Sequence, residues 1–320
     1  IKAENKELEA AKEAGIEIWH RSDLLGALME QEQSIVIAGS HGKTTTSTIA
    51  TTLLALTGKD PTAVIGGDVP FYRSNAHAGK GNLLIAEGDE SDGSLIKFKA
   101  NLAVITNLEF EHADHYKSLK ELIGTMKNFS NGCNKTLANY DCSNLRSFLK
   151  NCYWWSIKKT EGIDFSALPI SIEGDKSIVH YFEQGKLIDE LTIPLPGLHN
   201  LSNTISAIAT CRLQGIPFKE IKNNIMLIER PSRRFEYKGK WKDRQIIDDY
   251  AHHPTEINST IEMAQKIIES KQTPFPEISK RLVVVFQPHR FSRTNTFMND
   301  FARSLSKTEL LILAPTYAAG

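Results

Sequence analysis

The chain of 320 residues contains 38 Lys and Arg against 38 Asp and Glu, and 41% of its residues are hydrophobic. This length allows two domains of ordinary size, and the lack of a basic excess excludes a typical nucleic-acid-binding composition. No apolar run approaches the roughly 20 residues that cross a bilayer, so membrane insertion is not expected. The four cysteines show no CxxC spacing and no histidine cluster indicates a zinc site, which favours reduced thiols in a cytoplasmic protein.

The first elements alternate between helix and strand. Residues 2–14 carry Ala, Leu, Glu and Lys at helical spacing, a short strand is expected over Ile16–Trp19, and Ser22 is expected to cap a helix that ends at Met29. Short apolar strands then alternate with helices, which predicts a parallel sheet covered on both faces. The expected strands are Ser34–Ala38, Thr62–Ile65, Asn82–Ala86, Leu102–Thr106 and Thr136–Asn139, and the helices are Thr44–Thr57, Leu119–Phe129 and Ser143–Leu149.

Residues 163–193 break this alternation, because apolar and polar residues alternate there between turn signals and predict antiparallel hairpins. A second strand–helix alternation starts near Phe235. The fold class is therefore α/β, with a central P-loop-type parallel sheet, a small antiparallel β region and a further α/β unit. The later helices are expected at His199–Leu213, Phe218–Leu227, Pro254–Ser270 and Arg293–Ser306, and the later strands at Arg244–Asp248, Arg281–Phe286 and Glu309–Ala314.

The strongest motif is the segment 35–46, in which an apolar strand leads into a glycine loop, Lys-Thr and a helix. Gly39 and Gly42 let the backbone turn and present N–H groups to phosphate oxygens, and the helix N-terminus adds its positive end. Lys43 places a charge at the outer phosphates, and the Thr44 hydroxyl suits Mg²⁺. A strict P-loop has one more glycine, so this is a shortened GxxGKT loop. The alternative is a chance Gly-Lys-Thr at a helix start.

Six further segments place polar side chains after a strand or at a helix start. Two of them are acidic: 84–92 contains Glu87, and 103–115 adds His112 and suits a second metal ion. One of the others offers amides for a base or ribose, two offer arginines for a carboxylate or phosphate, and 246–254 offers two acids, a tyrosine and two histidines. They are 195–203 with Asn200 and Asn203, 230–235 with Arg234, 246–254 with Asp249 and His252, and 283–293 with Arg290 and Arg293.

Taken singly, each of these segments has an ordinary structural explanation. The acids can form a solvated turn, the histidines can be structural, the asparagines can cap their helix, and the arginines can form a solvated linker. All of them lie where open α/β sheets bind ligands, and their occurrence together favours ligand binding over the separate structural explanations.

The ordered set GSHGKTTT, AEGDESD, TNLEFEHADH, PGLHNLSN, SRRFE, DDYAHHPTE and FQPHRFSRT resembles the Mur ligase family. The resemblance covers nearly the whole chain and implies an ATP- and Mg²⁺-dependent ligase of peptidoglycan precursor synthesis. The motifs are most similar to those of members that join L-alanine to the carboxylate of UDP-N-acetylmuramate through an acyl phosphate. Two mild departures are Glu111, where Asp is usual, and Gly-Ser in place of Gly-Thr at the start of the loop.

The resemblance also implies roles for individual residues. Lys43, Glu87 and His112 are expected to be catalytic. The expected ATP-binding residues are Gly39, Ser40, His41, Gly42, Lys43, Thr44, Thr45, Asn200, Asn203, Arg234 and Asp249, the Mg²⁺ ligands are Thr44, Glu87 and His112, and the amino-acid side of the site is His252, Arg290 and Arg293.

The same resemblance implies three domains. Residues 1–32 are expected to be the tail of an N-terminal UDP-binding domain, 33–232 the central ATP-binding domain, and 233–320 the first part of a Rossmann-like third domain. The chain starts at Ile1 rather than Met, so we expect a piece of a longer ligase that binds Mg-ATP weakly and does not complete ligation.

Two other functions compete with this one. A recycling ligase that attaches a ready-made tripeptide to the same sugar nucleotide shares the first motifs, although the 286–293 loop favours the enzyme that adds a single amino acid. A nucleotide-binding module without ligation leaves the acids and histidines at the strand ends unexplained.

Overall fold

The structure, a computed structural model, describes residues 4–318. Its main feature is a ten-stranded sheet formed by β1 (Gln33–Ala38), β2 (Thr62–Val69), β3 (Ser74–His77), β4 (Leu83–Glu87), β5 (Leu102–Ile105), β6 (Lys135–Asn139), β7 (Tyr153–Ser156), β8 (Phe165–Ile172), β9 (Ser177–Glu183) and β10 (Lys186–Ile193). The order across the sheet is β10-β9-β8-β7-β6-β5-β1-β4-β2-β3. The run from β8 to β2 is parallel, whereas β3, β9 and β10 pair antiparallel.

Strand β1 shows why the sheet strands are apolar throughout. Ile35 and Ile37 pack into one core cluster, whereas Val36 and Ala38 pack into the cluster on the opposite face. Both faces of the sheet are therefore buried, as expected for parallel strands. The helices of this part are α1 (Lys6–Glu13), α2 (Arg21–Met29), α3 (Lys43–Leu56), α4 (Leu119–Gly132), α5 (Ser143–Phe148), α6 (Leu198–Leu213) and α7 (Phe218–Asn224). Helices α3 and α6 cover the first face, and α4 covers the second.

The remaining chain forms a second, smaller α/β unit. It contains an antiparallel pair, β11 (Glu236–Trp241) and β12 (Arg244–Asp248), a parallel pair, β13 (Val283–Phe286) and β14 (Leu310–Leu313), and the helices α8 (Pro254–Ser270), α9 (Phe291–Thr296) and α10 (Met298–Leu305). One face of α8 packs with α10 and β13 into a small core formed by Ile257, Ile261, Phe286, Phe301 and Leu305. Within residues 4–318, no helix is long and apolar enough to cross a membrane.

The structure corrects several predicted elements near the N-terminus. Residues 16–19 form no strand; they have no pairing partner and Trp19 is half exposed. Helix α2 is capped by His20 rather than Ser22: the His20 ring accepts from Ser22 N, and Asp23 accepts from His20 N. Residues 2 and 3 of the first predicted helix lie outside the described residues.

Other differences from the predicted elements concern the strands and the last predicted helix. The antiparallel region at residues 163–193 is confirmed, and its strands extend the central sheet at one edge. The strands β3, β7 and β11 were not predicted. The helix expected over 293–306 is divided at Phe297, whose backbone is not helical and whose ring packs against Phe110 and His253.

Candidate functional site

The loop between β1 and α3 depends on two glycines with positive φ. Gly39 has φ 127° and Gly42 has φ 80°. A Cβ atom would lie 2.3 Å from Thr106 Oγ1 at Gly39, and 2.3 Å from Asn203 Oδ1 at Gly42. Because no side chain caps α3, the first N–H groups of that helix are free to bind an anion at the end of this loop.

Lys43 is folded back into this loop. Its Nζ donates to Gly39 O over 2.6 Å and to Glu90 Oε1 over 2.9 Å. Burial alone would lower the pKa of Lys43, but the carboxylates of Glu90, Glu87 and Glu111 raise the pKa above its ordinary value. The ammonium group therefore stays positively charged, and it lies between the phosphate loop and Glu90.

The next residue, Thr44, faces the end of β4. Its Oγ1 donates to Glu87 Oε1 over 2.9 Å, and Glu87 Oε2 accepts from Gly66 N over 2.9 Å. A hydroxyl and a carboxylate thus lie together beside the phosphate loop. Such a pair of oxygen donors suits Mg²⁺.

A second group of polar side chains contacts Lys43 through Glu90. Ligand atoms of Glu90, Glu111 and His112 all lie within 4.8 Å of one another. Glu90 is completely buried, and its Oε1 lies 3.1 Å from His112 Nε2, while its Oε2 has no hydrogen-bond partner. A buried carboxylate oxygen without a donor is costly, so this oxygen suits a bound cation. The backbone of His112 has φ 55°, which turns the chain at this point.

Glu111 connects this group to the second α/β unit. Arg293 Nη2 donates to Glu111 Oε1 over 3.1 Å, and His252 Nε2 lies 3.6 Å from the same oxygen. Burial opposes ionisation, but His252, His41 and His112 outweigh it and hold the pKa of Glu111 well below its usual range.

Asp114 follows Glu111 on the loop after β5, and it also contacts the second unit. Its Oδ2 lies 3.5 Å from Arg290 Nη1. Ser292 Oγ donates to that oxygen over 3.0 Å. The loop after β5 is thus in contact with the start of α9.

His41 is the second connection between the two units. Its Nδ1 lies 3.3 Å from Glu256 Oε1 and its Nε2 lies 3.4 Å from Glu109 Oε2. Burial would lower the pKa of His41, but the two carboxylates raise it to about 10. The neighbouring His253 is different, because burial and the charge of His41 lower its pKa to about 4. At neutral pH one imidazole is charged and the other is neutral.

A cavity of about 420 Å³ opens beside the phosphate loop, between the ends of β6 and β7, the start of α6, and α8. It is lined by most of the residues predicted to bind ATP, namely His41, Gly42, Thr45, Asn200, Asn203, Arg234 and Asp249. Ser40 does not line it, because its hydroxyl donates to Glu109 O over 3.0 Å and ties the loop after β1 to the loop after β5.

Three of the lining residues have contacts that define their roles. Asn200 Nδ2 donates to Pro196 O over 2.7 Å, so its amide stabilises the turn before α6; the N-cap is Gly197, and no side chain caps that helix. Burial raises the pKa of Asp249, whose oxygens accept from Phe235 N and Ala251 N. The amide of Asn203 lies against Gly42 and leaves no room for a side chain at that position.

Comparison with known protein families gives two matches along the chain. Residues 37–211 match the Mur ligase middle domain, and residues 233–318 match the Mur ligase glutamate ligase domain. The chain belongs to the Mur ligase family.

Curated relatives of this Mur ligase are similar over the whole chain. A UDP-N-acetylmuramate–L-alanine ligase of Prochlorococcus marinus (strain MIT 9313) is 55% identical over 320 residues, which are all of this chain and 66% of the relative. The corresponding ligase of Parasynechococcus marenigrum (strain WH8102) is 52% identical over 320 residues and is covered to 68%. The chain spans about two thirds of the length of these relatives.

Solved structures support the same fold. The UDP-N-acetylmuramate–alanine ligase of Thermotoga maritima matches with a TM-score of 0.83 at 23% identity, over 99% of this chain and 70% of that chain. A murein peptide ligase of Psychrobacter arcticus 273-4 matches with a TM-score of 0.72 at 19% identity, over 99% of this chain and 76% of that chain. Both show that this Mur ligase has the family's α/β architecture.

The predicted site residues of this Mur ligase come from both α/β units. Most of them lie in the phosphate loop or line the cavity beside it, whereas Arg290 contacts Asp114 on the loop after β5. The predicted metal ligands do not form one group: Thr44 contacts Glu87, whereas His112 contacts Glu90. Sequence reasoning missed Glu90 as a partner of Lys43. It also missed Glu256, although His253 and Glu256 form the capping box of α8, which the spacing HPTE could have indicated.

Proposed function

We propose that this protein is an ATP-dependent ligase that joins L-alanine to the carboxylate of UDP-N-acetylmuramate through an acyl phosphate, in peptidoglycan precursor synthesis. The observation that carries the proposal is the 55% identity, over the whole chain, with a relative of that name. The geometry supports it, because contacts connect the phosphate loop to Glu87 and Glu90, and Glu111 beside Glu90 to Arg293 of the second unit. The four cysteines are all unpaired, which fits a cytoplasmic protein.

ATP binding is the first step of the proposal. The adenine and ribose would enter the cavity beside Asn203 and Asp249, and the phosphates would meet the N–H groups at the start of α3. Lys43 would leave Gly39 O and point its charge toward the outer phosphates, because an anion there is a stronger partner than a carbonyl.

The residues present fit a Mg²⁺ requirement. Thr44 and Glu87 would hold an ion at the phosphates, and His112 with Glu90 or Glu111 would hold a second one, where Glu90 Oε2 has no other partner. Bound Mg²⁺ would neutralise phosphate charge and hold the transferring phosphoryl group. Lys43 would stabilise the charge that develops when the substrate carboxylate attacks the γ-phosphorus.

The second step is attack by the amine of L-alanine on the acyl phosphate. Arg290 and Arg293 are the cations that would hold the alanine carboxylate. The amine must lose a proton to react, and His252, whose Nε2 lies 3.6 Å from Glu111 Oε1, is the candidate acceptor because its imidazole lies beside the arginine that would hold the alanine carboxylate. Phosphate would then leave the tetrahedral intermediate.

The proposal extends to the domain limits. Residues 33–232 would be the ATP-binding domain and 233–320 the domain that closes over it, with 1–32 belonging to a preceding UDP-binding domain. The family matches at 37–211 and 233–318 fall inside the two larger ranges. The contacts of Glu111 with His252 and Arg293 are what such a closure would form.

The test is an assay of ADP release by the protein expressed from its complete gene. ADP should appear only with UDP-N-acetylmuramate, L-alanine, ATP and Mg²⁺ together. Preference for a tripeptide over L-alanine would instead identify a recycling ligase, and ATP binding without ADP release would indicate a nucleotide-binding module.

The metal assignment needs a separate test. His112→Asn should raise the Mg²⁺ concentration required for half-maximal activity by about tenfold or more, because one ligand is lost. The control is His115→Asn, which changes an exposed histidine of the same loop. Equal Mg²⁺ titrations of the two variants would show that His112 is structural.

A further inference from the structure

A second cluster of ligand-type side chains lies outside the proposed Mg²⁺ group. His41, Glu109 and His253 offer three ligand atoms within 4.8 Å of one another. They come from the phosphate loop, the loop after β5 and the N-cap of α8. Because they are 68 and 144 positions apart in the chain, no metal-ligand spacing in the sequence could have predicted them.

The separations match those between ligands of one small tetrahedral ion. His41 Nε2 and Glu109 Oε2 are 3.4 Å apart, and His253 Nδ1 lies 3.9 Å from the same oxygen. Zn–N and Zn–O bonds of about 2.0–2.2 Å place tetrahedral ligands about 3.3–3.6 Å apart. Two of the three separations therefore lie in or near the range for one ion, and the two imidazoles, whose ligand atoms are within 4.8 Å of each other, would move together when an ion binds.

The chemistry of the three groups favours a transition metal over Mg²⁺. Two imidazoles and one carboxylate suit Zn²⁺, whereas Mg²⁺ prefers sites in which oxygen ligands outnumber nitrogen ligands, as in the group of Glu90, Glu111 and His112. His253 is 4% exposed and its pKa is lowered to about 4 by burial and by His41, so its ring is neutral at neutral pH, as a ligand must be. Its present contact at Nδ1, from Thr255 N, is long at 3.4 Å and could be exchanged for a metal.

The neighbours of the cluster resemble the outer contacts of zinc sites. Glu256 Oε1 lies 3.3 Å from His41 Nδ1, which leaves Nε2 as the ligand and forms a carboxylate–histidine–metal arrangement. Thr255 Oγ1 donates to Glu109 Oε2 over 2.7 Å and orients that carboxylate. Without a metal, the proton on His41 supplies the positive charge between Glu109 and Glu256; a bound cation would replace that proton.

The cluster also has an entry path. Glu109 and His253 line a second cavity of about 420 Å³, which opens between the loop after β5 and the helices α8 and α10. The side chain of Glu109 is 41% exposed. An ion can therefore reach the cluster without passing through the nucleotide cavity.

We propose that His41, Glu109 and His253 form a Zn²⁺ site that is separate from the Mg²⁺ site and joins the phosphate loop to the start of α8. An ion held there connects the two α/β units directly. This consequence rests on the proposed function: if the two units separate between turnovers, such a connection slows turnover.

The test is a Zn²⁺ titration against a chromophoric chelator in excess Mg²⁺, with the purified full-length chain. We expect one equivalent of Zn²⁺ to bind. His253→Asn should weaken binding by about 100-fold or more, because it removes a ligand but keeps a good helix cap. Glu109→Gln should do the same while still accepting from Thr255, and it serves if the first variant does not fold.

Two control variants make the test specific. His77→Asn removes a surface histidine whose contact is Asp60, at 2.9 Å, and His112→Asn changes the proposed Mg²⁺ group. Neither should alter Zn²⁺ affinity. The proposal is overturned if no Zn²⁺ binds in excess Mg²⁺, if His112→Asn abolishes binding, or if His253→Asn and Glu109→Gln retain it.

Cobalt supplies an independent readout. Co²⁺ in the site should show the intense visible bands of tetrahedral coordination, and these bands should be lost in His253→Asn. A thiolate-to-cobalt charge-transfer band would place the ion on one of the free cysteines and would equally overturn the proposal.

Discussion

Arg293 Nη2 donates to Glu111 Oε1 over 3.1 Å, although the two residues are 182 positions apart in the chain. Glu111 is 2% exposed and lies after β5 of the central sheet, whereas Arg293 lies on α9 of the second unit. The pair is therefore a buried charge contact that exists only when the two units are together. Removal of this pair should lower the stability of the folded protein and, under the proposed function, weaken the binding of the amino acid.

The first prediction is that Arg293→Ala destabilises the protein by about 3 kcal/mol, because it leaves the buried Glu111 carboxylate without its arginine partner. The control is Arg290→Ala, whose contact with Asp114 is exposed on both sides and should cost less than about 1 kcal/mol. Urea unfolding of the two variants measures the difference. Equal losses would show that the Glu111 contact is not a buried ion pair in solution.

The second prediction concerns Lys43 and Glu90. Lys43→Met should abolish ligation, and it should also destabilise the nucleotide-free protein by about 3–5 kcal/mol, because Glu90 is completely buried. The double variant Lys43→Met with Glu90→Gln should recover most of this stability but none of the activity. If the single variant is as stable as the parent, His112 alone satisfies the Glu90 carboxylate.

The third prediction separates steric overlap from backbone strain. Gly42→Ala should abolish nucleotide binding and lower stability, because the new Cβ would lie 2.3 Å from Asn203 Oδ1. Gly58→Ala is the matched control, since it has φ 79° but no atom within 4 Å of the added Cβ. We expect about 1 kcal/mol of loss at Gly58 and clearly more at Gly42. Calorimetry with Mg-ATP and urea unfolding measure both effects.

The sequence predicts the central sheet well because its strands are buried on both faces. Strand β1 is apolar at every position from Ile35 to Ala38, and the parallel order follows from that pattern. By contrast, Ile16–Trp19 has a strand-like composition but no neighbour to pair with, so the composition was misleading. The division of the last helix at Phe297 depends on contacts with Phe110 and His253, which are distant in sequence.

The candidate site shows the same limit. Side chains at strand ends could be collected from the sequence, because the ends of parallel strands share one edge of the sheet. The pairing of these side chains could not be predicted. Segment 84–92 contains four acids, and only the folded structure shows that Glu90 is the partner of Lys43. Glu256 lies on α8, beyond the strand ends, and its contact with His41 depends on how the two units meet.

The last prediction is a pH dependence of stability that depends on His41. Its pKa rises from an unfolded value near 6.5 to about 10 in the folded protein. A raised pKa of a cation means that the folded state binds the proton more tightly, so the stabilisation is complete below about pH 6.5 and is lost as the pH rises through about 10. The partner Glu256 has a pKa well below 4.5, so its carboxylate stays charged throughout this range.

The melting temperature should therefore fall by several degrees between about pH 7 and about pH 9.5. In His41→Asn the fall should be much smaller, because asparagine keeps a polar side chain but has no proton to lose. The other groups that face His41 do not titrate in this interval: the pKa of Glu109 is lowered, that of Glu111 is well below its usual range, and that of His253 is about 4. Parallel curves for the parent and the variant would show that His41 is not a buried cation between the two units.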